Sequence, residues 1–312
     1  MDRSYQVIIV DGGPAGLTAG LYCARSKLNT LLIERGVIGG QITNAEQVEN
    51  YPGFPQGISG IKLGQLIHEQ ATNYGLETLL AEVTALAPRQ KHKLVSTNEG
   101  NFVADSVIIA SGSRFRKLGV LGEDELTGRG VSYCATCDGP LFKGRAVAVI
   151  GGGDAAVTEA LYLSKFASKV LVIHRRNQLR ASRILGEKAK TEPKIEFIWD
   201  TVVTKIEGVG ASRDSYLGLS LRLKKVKDAT ISALEVAGIF IAIGLEPNTG
   251  YLERVLPLDE EGCIVTNELM ETGIPGILAA GNIRHNSARQ AITAAGDGAT
   301  AAMSAERFLS LH

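Results

Sequence analysis

Residues 133–139 read "YCATCDG" and contain two of the four cysteines of the chain. Cys134 and Cys137 are separated by two residues, and Asp138 follows directly. That spacing suits a dithiol that cycles with a disulfide, half of a metal site, or two inert thiols. A zinc site needs four ligands, usually a second Cys pair or a Cys/His pair. Cys23 and Cys263 are single and far apart, and none of the 5 His residues forms a paired ligand motif with Cys134 and Cys137. The pattern therefore favours a redox pair, and Cys23, inside an apolar helical stretch, reads as a core thiol. Disulfide exchange requires a thiolate. A partly buried Asp138 carboxyl, its pKa raised by desolvation, is suited to hold and return the proton. Its competing role is to cap the helix that follows Cys137.

Two segments of the same plan stand ready to position this chemistry. They are "YQVIIVDGGPAGLTAGLYCARSKLNTLLIER" (5–35) and "RAVAVIGGGDAAVTEALYLSKFASKVLVIHRR" (145–176). Each runs from an apolar stretch through a Gly-rich turn and an Ala/Leu-rich helix to a second apolar stretch, which is a βαβ unit. In such a unit the first glycine makes the turn, the second admits the pyrophosphate, and the third lets helix and strand pack closely. Gly151, Gly153 and Ala156 occupy those places in the second unit; in the first, Asp11 stands ahead of Gly13 and Gly16. Two units in one chain imply two bound dinucleotides. The expected fold is α/β, with two Rossmann-like dinucleotide-binding domains.

The ends of the second strands separate the ligands. Glu34 ends the first, where a carboxylate accepts from ribose hydroxyls. Arg175 and Arg176 end the second, followed by Arg180, and guanidiniums suit a 2′-phosphate. The reading is FAD or NAD in the first unit and NADPH in the second. Further strands are expected at 102–113, 201–208 and 234–244, and a strand, loop and long helix at 276–309. Lys224, Lys225 and Lys227 read as the solvated tip of a hairpin.

Composition sets the class. Of 312 residues, 45% are hydrophobic and 21% charged, with Lys+Arg and Asp+Glu both 33. Such balance gives no reason to expect nucleic acid or an anionic membrane as partner. No apolar run approaches the roughly 20 residues of a membrane span, and "MDRSYQVIIVDGG" lacks the pattern of a signal peptide. A cytoplasmic protein is expected.

Over nearly its whole length the sequence closely resembles the low-molecular-weight thioredoxin reductases. The pieces that carry the resemblance are "GGPAGL", "GGQITNAEQVENYPG", "GRGVSYCATCDG", "VIGGGDAAVTEALYL", "HRRNQLRA" and "AAGNIRHNSARQAITAAGDGATAA". The resemblance implies an FAD domain from both chain ends, about 1–117 and 247–312. An NADPH domain, about 118–246, is inserted in it and carries the cysteine pair. FAD contacts are implied for Gly13, Ala15, Glu34, Gly40, Gln41, Asn50, Asn282, Arg289, Gln290 and Ala291; NADPH contacts fall to Gly151, Gly153, Ala156, Arg175, Arg176 and Arg180. It further implies a homodimer and electron flow from NADPH through FAD and Cys134–Cys137 to thioredoxin. Cys137 then faces the flavin, Cys134 attacks the substrate, and Asp138 serves as acid and base. A hinge near Arg116–Leu118 and Gly244–Asn248 is expected to present nicotinamide and dithiol to the flavin in turn, and Arg129 is a candidate for substrate docking.

Two positions depart from the family pattern. Asp11 replaces the first turn glycine, and Asn282 stands where the family usually has Asp. One carboxylate gained and one lost partly compensate each other if the two residues are neighbours in the fold. Rival readings are the same electron path with NADH or ferredoxin as donor, another disulfide protein as substrate, or a flavin redox sensor without turnover.

Overall fold

A computed structural model of the chain describes residues 3–45, 47–89, 91–210, 218–252 and 254–311. The chain divides into two compact units, Met1–Arg114 with Glu246–His312, and Phe115–Leu245. It passes between them in β7 (Ser113–Phe115) and β16 (Leu245–Pro247).

The first unit is a sheet with helices. It runs β1 (Arg3–Val10), α1 (Pro14–Arg25), β2 (Thr30–Glu34), α2 (Gly60–Thr72), β3 (Glu77–Leu80), β4 (Val83–Pro88), β5 (Lys93–Thr97) and β6 (Gly100–Ile109). The chain returns to it with β17 (Ile277–Ala279) and α7 (Ala291–Leu311). The strand order is β3-β2-β1-β6-β5-β4, with β17 beside β6. β3, β2, β1, β6 and β17 are parallel, while β5 runs antiparallel to both β4 and β6. The run "VIIV" of β1 is apolar without alternation because a central parallel strand is covered on both faces. Val7 and Ile9 pack with α1 and α7 residues such as Leu17 and Ala301, while Ile8 and Val10 pack with Leu252 and Ile264.

The second unit begins with α3 (Glu123–Leu126), β8 (Val131–Ser132) and α4 (Ala135–Asp138). There follow β9 (Ala146–Ile150), α5 (Asp154–Leu163), β10 (Lys169–Ile173), α6 (Arg183–Thr191) and β11 (Ile195–Ile198). Last come β12 (Thr201–Val209), β13 (Gly218–Lys225), β14 (Ile231–Val236) and β15 (Gly238–Ile241). The parallel order β11-β10-β9-β15-β8 forms one sheet, and β12-β13-β14 an antiparallel meander. Alternate residues of β9 again serve two cores: Val147 and Val149 face α5, and Ala148 and Ile150 face the meander.

The segment 234–244, a single β-rich stretch in the sequence, divides between two sheets. β14 ends at Val236 and β15 starts at Gly238. A Cβ at Gly238 would lie 2.3 Å from the Phe142 ring, so only glycine lets the chain enter the parallel sheet there. Lys225 and Lys227 lie at the hairpin tip as expected but are tethered, to the Trp199 carbonyl (3.0 Å) and to Asp200 (3.0 Å).

Candidate functional site: a disulfide and two nucleotide cradles

In the second unit the cysteine pair sits where β8 ends. Cys134 is the N-cap of the short helix α4, and Cys134 and Cys137 form a disulfide. The amides of Cys137 (3.2 Å) and Asp138 (3.1 Å) both donate to the Cys134 carbonyl, which closes the turn. Cys137 is exposed and Cys134 half-buried.

Ser132 links this turn to the carboxyl beside it. Its hydroxyl donates to Asp138 Oδ2 at 2.6 Å and accepts the Cys134 amide at 3.1 Å. Asp138 does not use its side chain as a helix cap, although its backbone stands at the cap position before Gly139. The capping role open in the sequence is thus not taken, because Ser132 holds the carboxyl against the cysteine turn. Burial raises the Asp138 pKa, and the Ser132 bond partly opposes it. A half-buried acid one residue from Cys137 has the placement that a proton reservoir for a thiolate needs.

A second carboxyl reaches the same turn. Glu159, on α5, accepts the Ala135 amide, and burial pushes its pKa up to about 7. Its Oε2 is buried, with no hydrogen-bond partner among the described residues. Nothing in the sequence singled out Glu159 or Ser132; only the packing of α5 and β8 against α4 gives them their roles. Tyr133 is fixed from another side: its hydroxyl donates to buried Glu123 at 2.7 Å, and its ring stacks on Phe115. The Glu123 carboxylate also accepts the amides of Leu118 (2.9 Å) and Gly119 (2.8 Å).

The Gly-rich turn of this unit has the form a pyrophosphate requires. Gly151 takes φ +148°, and a Cβ there would lie 2.6 Å from Ala156 Cβ. Gly153, the N-cap of α5, offers no side-chain cap to the first-turn amides. Around it the space is open as far as Arg180 Nη2, 3.9 Å from where a Cβ would be. Arg175, Arg176 and Arg180 are exposed and come from one loop, which the Arg180 amide ties to the Gly152 carbonyl at 2.7 Å. His174, directly before them in the chain, is buried, and its Nε2 has no partner among the described residues. Its pKa is pushed down by burial first, then by Arg180, Arg176 and Arg175. An open helix N-terminus beside three guanidiniums fits a dinucleotide that carries an extra phosphate.

In the first unit Gly13 is the N-cap of α1, with Pro14 opening the helix, and beyond its chain neighbours no atom of the described residues lies within 4 Å of where a Gly13 Cβ would stand. Gly16 is held to a close approach: its Cβ would lie 1.9 Å from the Asp11 carbonyl. Ala15 is buried where α1 meets α7, its carbonyl 2.1 Å from where a Gly298 Cβ would be. Glu34 closes β2 and accepts the Gly12 and Gly36 amides, both at 2.7 Å. Open space at a helix N-terminus with a carboxylate at the next strand end fits a dinucleotide without a 2′-phosphate.

The remaining residues of that unit gather from distant parts of the chain. Asn50 Nδ2 donates to Gln290 Oε1 at 3.2 Å, and Gln41 donates to the Ser113 carbonyl. Gly40 takes φ +62° and approaches Gly13, whose Cα would be 3.0 Å from a Cβ at Gly40. Arg289 adopts φ +58° just before α7, which Ala291 begins. Asn282 Oδ1 accepts from the Ser287 hydroxyl at 3.2 Å, and the Asp11 amide donates to the Ile33 carbonyl at 2.7 Å.

Comparison with known proteins places this arrangement. The chain is 44% identical over 308 residues to a thioredoxin reductase of Listeria innocua, covering 99% of this chain and 95% of that one. It is 43% identical over 308 residues to a thioredoxin reductase of Bacillus subtilis, covering 99% and 96%. Among solved structures, the thioredoxin reductase from Streptococcus pyogenes superimposes with a TM-score of 0.94 at 41% identity, over 100% of both chains. Residues 5–298 match the family described as pyridine nucleotide-disulphide oxidoreductase, and the chain belongs to that family.

Proposed function

We propose that the protein is an NADPH-dependent thioredoxin-disulfide reductase. The observation that carries this reading is the Cys134–Cys137 disulfide, set beside the Asp138 carboxyl in the same unit as a Gly-rich turn and three guanidiniums. FAD is assigned to the first unit, with Glu34 on a ribose and Gly13 and Ala15 at the pyrophosphate. Further FAD contacts are assigned to Gly40, Gln41, Asn50, Asn282, Arg289, Gln290 and Ala291. NADPH is assigned to the second unit, with Gly151, Gly153 and Ala156 at the pyrophosphate and Arg175, Arg176 and Arg180 at the 2′-phosphate.

Bound flavin supplies a two-electron relay between nicotinamide and the disulfide. The residues of the chain do the rest. Once reduced, Cys134 attacks one sulfur of the thioredoxin disulfide as a thiolate, and the second thioredoxin sulfur leaves and takes a proton. Cys137 then attacks Cys134 Sγ, which re-forms the internal disulfide and releases the first thioredoxin sulfur as a thiol. Asp138 is placed to hold and return the proton as these sulfurs change charge. The half-buried Cys134 is assigned to attack and Cys137 to the flavin side from the family resemblance. Arg129, exposed before β8, is the candidate contact for thioredoxin.

Homodimer formation and a cytoplasmic site of action belong to the same reading, supported by the full-length likeness to bacterial relatives. Among the described residues, no helix is long and apolar enough to cross a membrane. The test is steady-state reduction of thioredoxin with NADPH against NADH, alongside the absorbance spectrum of the purified protein. A yellow protein that bleaches with NADPH and reduces thioredoxin supports the reading. Equal rates with both donors contradict the Arg175, Arg176 and Arg180 assignment, and a colourless or inactive protein contradicts the function.

A further inference from the structure

The loop that carries the three guanidiniums has no helix or strand of its own. It spans 174–182, between β10 and α6. Leu179 and Ala181 pack against the apolar cluster of Ala156, Val157 and Ala160 on α5, while Arg175, Arg176 and Arg180 stay exposed. Such a loop delivers its charges to one place only if its backbone is held.

Three consecutive amides hold it. Those of Arg180 (2.7 Å) and Ala181 (3.1 Å) donate to the Gly152 carbonyl, inside the Gly-rich turn. The Ser182 amide donates to Asp154 Oδ1 at 2.6 Å. The first two bonds join backbone to backbone. The third needs an acceptor in the side chain at 154, so a single substitution can remove it.

Asp154 is the first residue of α5, and Ser182 is the N-cap of α6. In a capping box the carboxylate of the third helical residue accepts the N-cap amide. In α6 that residue is Leu185, and no acid stands in the first turn. Asp154 takes the part from a different helix, where the α6 dipole also favours a negative charge. This engagement resolves a conflict. The open N-terminus of α5 is the place for a pyrophosphate, and a free carboxylate there would repel it.

We propose that Asp154 is a positioning residue: by holding the Ser182 amide it fixes the loop that presents Arg175, Arg176 and Arg180, and so sets the preference for a donor with a 2′-phosphate. Arg180 stands two residues before Ser182, with Nη2 3.9 Å from where a Gly153 Cβ would be. NADH lacks the 2′-phosphate and gains nothing from the held loop, so loss of the Asp154 bond falls on NADPH.

This inference rests on the assignment of NADPH to the second unit, and the experiment separates the two. KM for NADPH and for NADH is measured with thioredoxin as acceptor in the full-length wild type, Asp154→Asn and Asp154→Ala. Hydrogen exchange of the segment 177–183 is followed in the same proteins without donor. Asn keeps an acceptor for the Ser182 amide; Ala removes it. In Asp154→Ala the KM for NADPH is expected to rise about tenfold and that for NADH to change by less than about twofold, the order expected for one charge-assisted hydrogen bond that only NADPH exploits. The segment is expected to exchange faster in Asp154→Ala, and Asp154→Asn to return both readouts toward the wild type. A preference for NADPH that Asp154→Ala leaves intact would overturn the proposal. So would a KM that falls by the same factor for both donors, because the carboxylate would then act on the pyrophosphate itself. A wild type that does not prefer NADPH overturns the donor assignment, and the exchange rates then decide whether Asp154 anchors the loop.

Discussion

Replacing Ser132 with Ala should move the pH dependence of disulfide exchange without touching either cysteine. The Ser132 hydroxyl donates to Asp138 Oδ2 at 2.6 Å, a charge-assisted distance, and opposes the rise in Asp138 pKa caused by burial. A hydrogen bond to a charged group is worth about 1.5–3 kcal/mol, and one to a neutral group about 0.5–1.5 kcal/mol. The hydroxyl therefore favours the carboxylate over the acid by about 1 kcal/mol. Removing it therefore lets burial raise the Asp138 pKa further. The same change leaves the Cys134 amide without its acceptor at 3.1 Å, which costs about 1 kcal/mol or more of stability. The assay is kcat/KM for thioredoxin at saturating NADPH from pH 5 to 9, in Ser132→Ala, Ser132→Thr and Asp138→Asn. The limb of the profile that belongs to Asp138 is expected to shift upward in Ser132→Ala, to return in Ser132→Thr, and to vanish in Asp138→Asn. A Ser132→Ala profile that overlays the wild type would refute the reasoning, and so would an Asp138→Asn protein that keeps the limb.

Three further outcomes follow from the geometry. Arg175→Ala with Arg176→Ala is expected to weaken NADPH by about 100-fold and leave NADH nearly unchanged, at about 1.5 kcal/mol for each guanidinium–phosphate hydrogen bond removed; KM values for the two donors check this. Glu159, with its pKa near 7, should stabilise the protein at pH 6 relative to pH 8 by about 1 kcal/mol, because a raised folded pKa is stabilising below it and lost above it. Glu159→Gln, which can still accept the Ala135 amide, should flatten that trend in urea unfolding, and an unflattened trend counts against a titrating Glu159. Glu123→Ala removes a buried carboxylate bonded to Leu118, Gly119 and Tyr133, and should cost about 3 kcal/mol or more, read as a lower urea midpoint.

Much of this architecture is written in local pattern. The two βαβ units are legible because a parallel strand buried on both faces must be a continuous apolar run, and because the turn to the next helix needs glycine. Both segments fold as β-helix-β with their strands parallel, β1 beside β2 and β9 beside β10. The cysteine pair is likewise local, since three residues of chain suffice to bring the sulfurs together. Less legible is the break at Ala237–Gly238. It depends on the Phe142 ring, almost a hundred residues away, which denies a side chain at Gly238.

The sequence alone determined the fold class, the two glycine-rich turns, the acid at one strand end and the arginines at the other, and the dithiol. Each rests on residues close together in the chain, so that spacing carries the information. Tertiary structure alone decided what surrounds them. It placed Ser132 and Glu159 against the cysteine turn, Asn50 against Gln290, and β17 beside β6, pairings made between distant segments by packing. It also changed the meaning of Asp11. In the sequence this residue is an acid in place of a glycine, set against the lost acid at Asn282. In the fold it is a left-handed residue whose amide donates to the Ile33 carbonyl, which holds the turn alongside the end of β2.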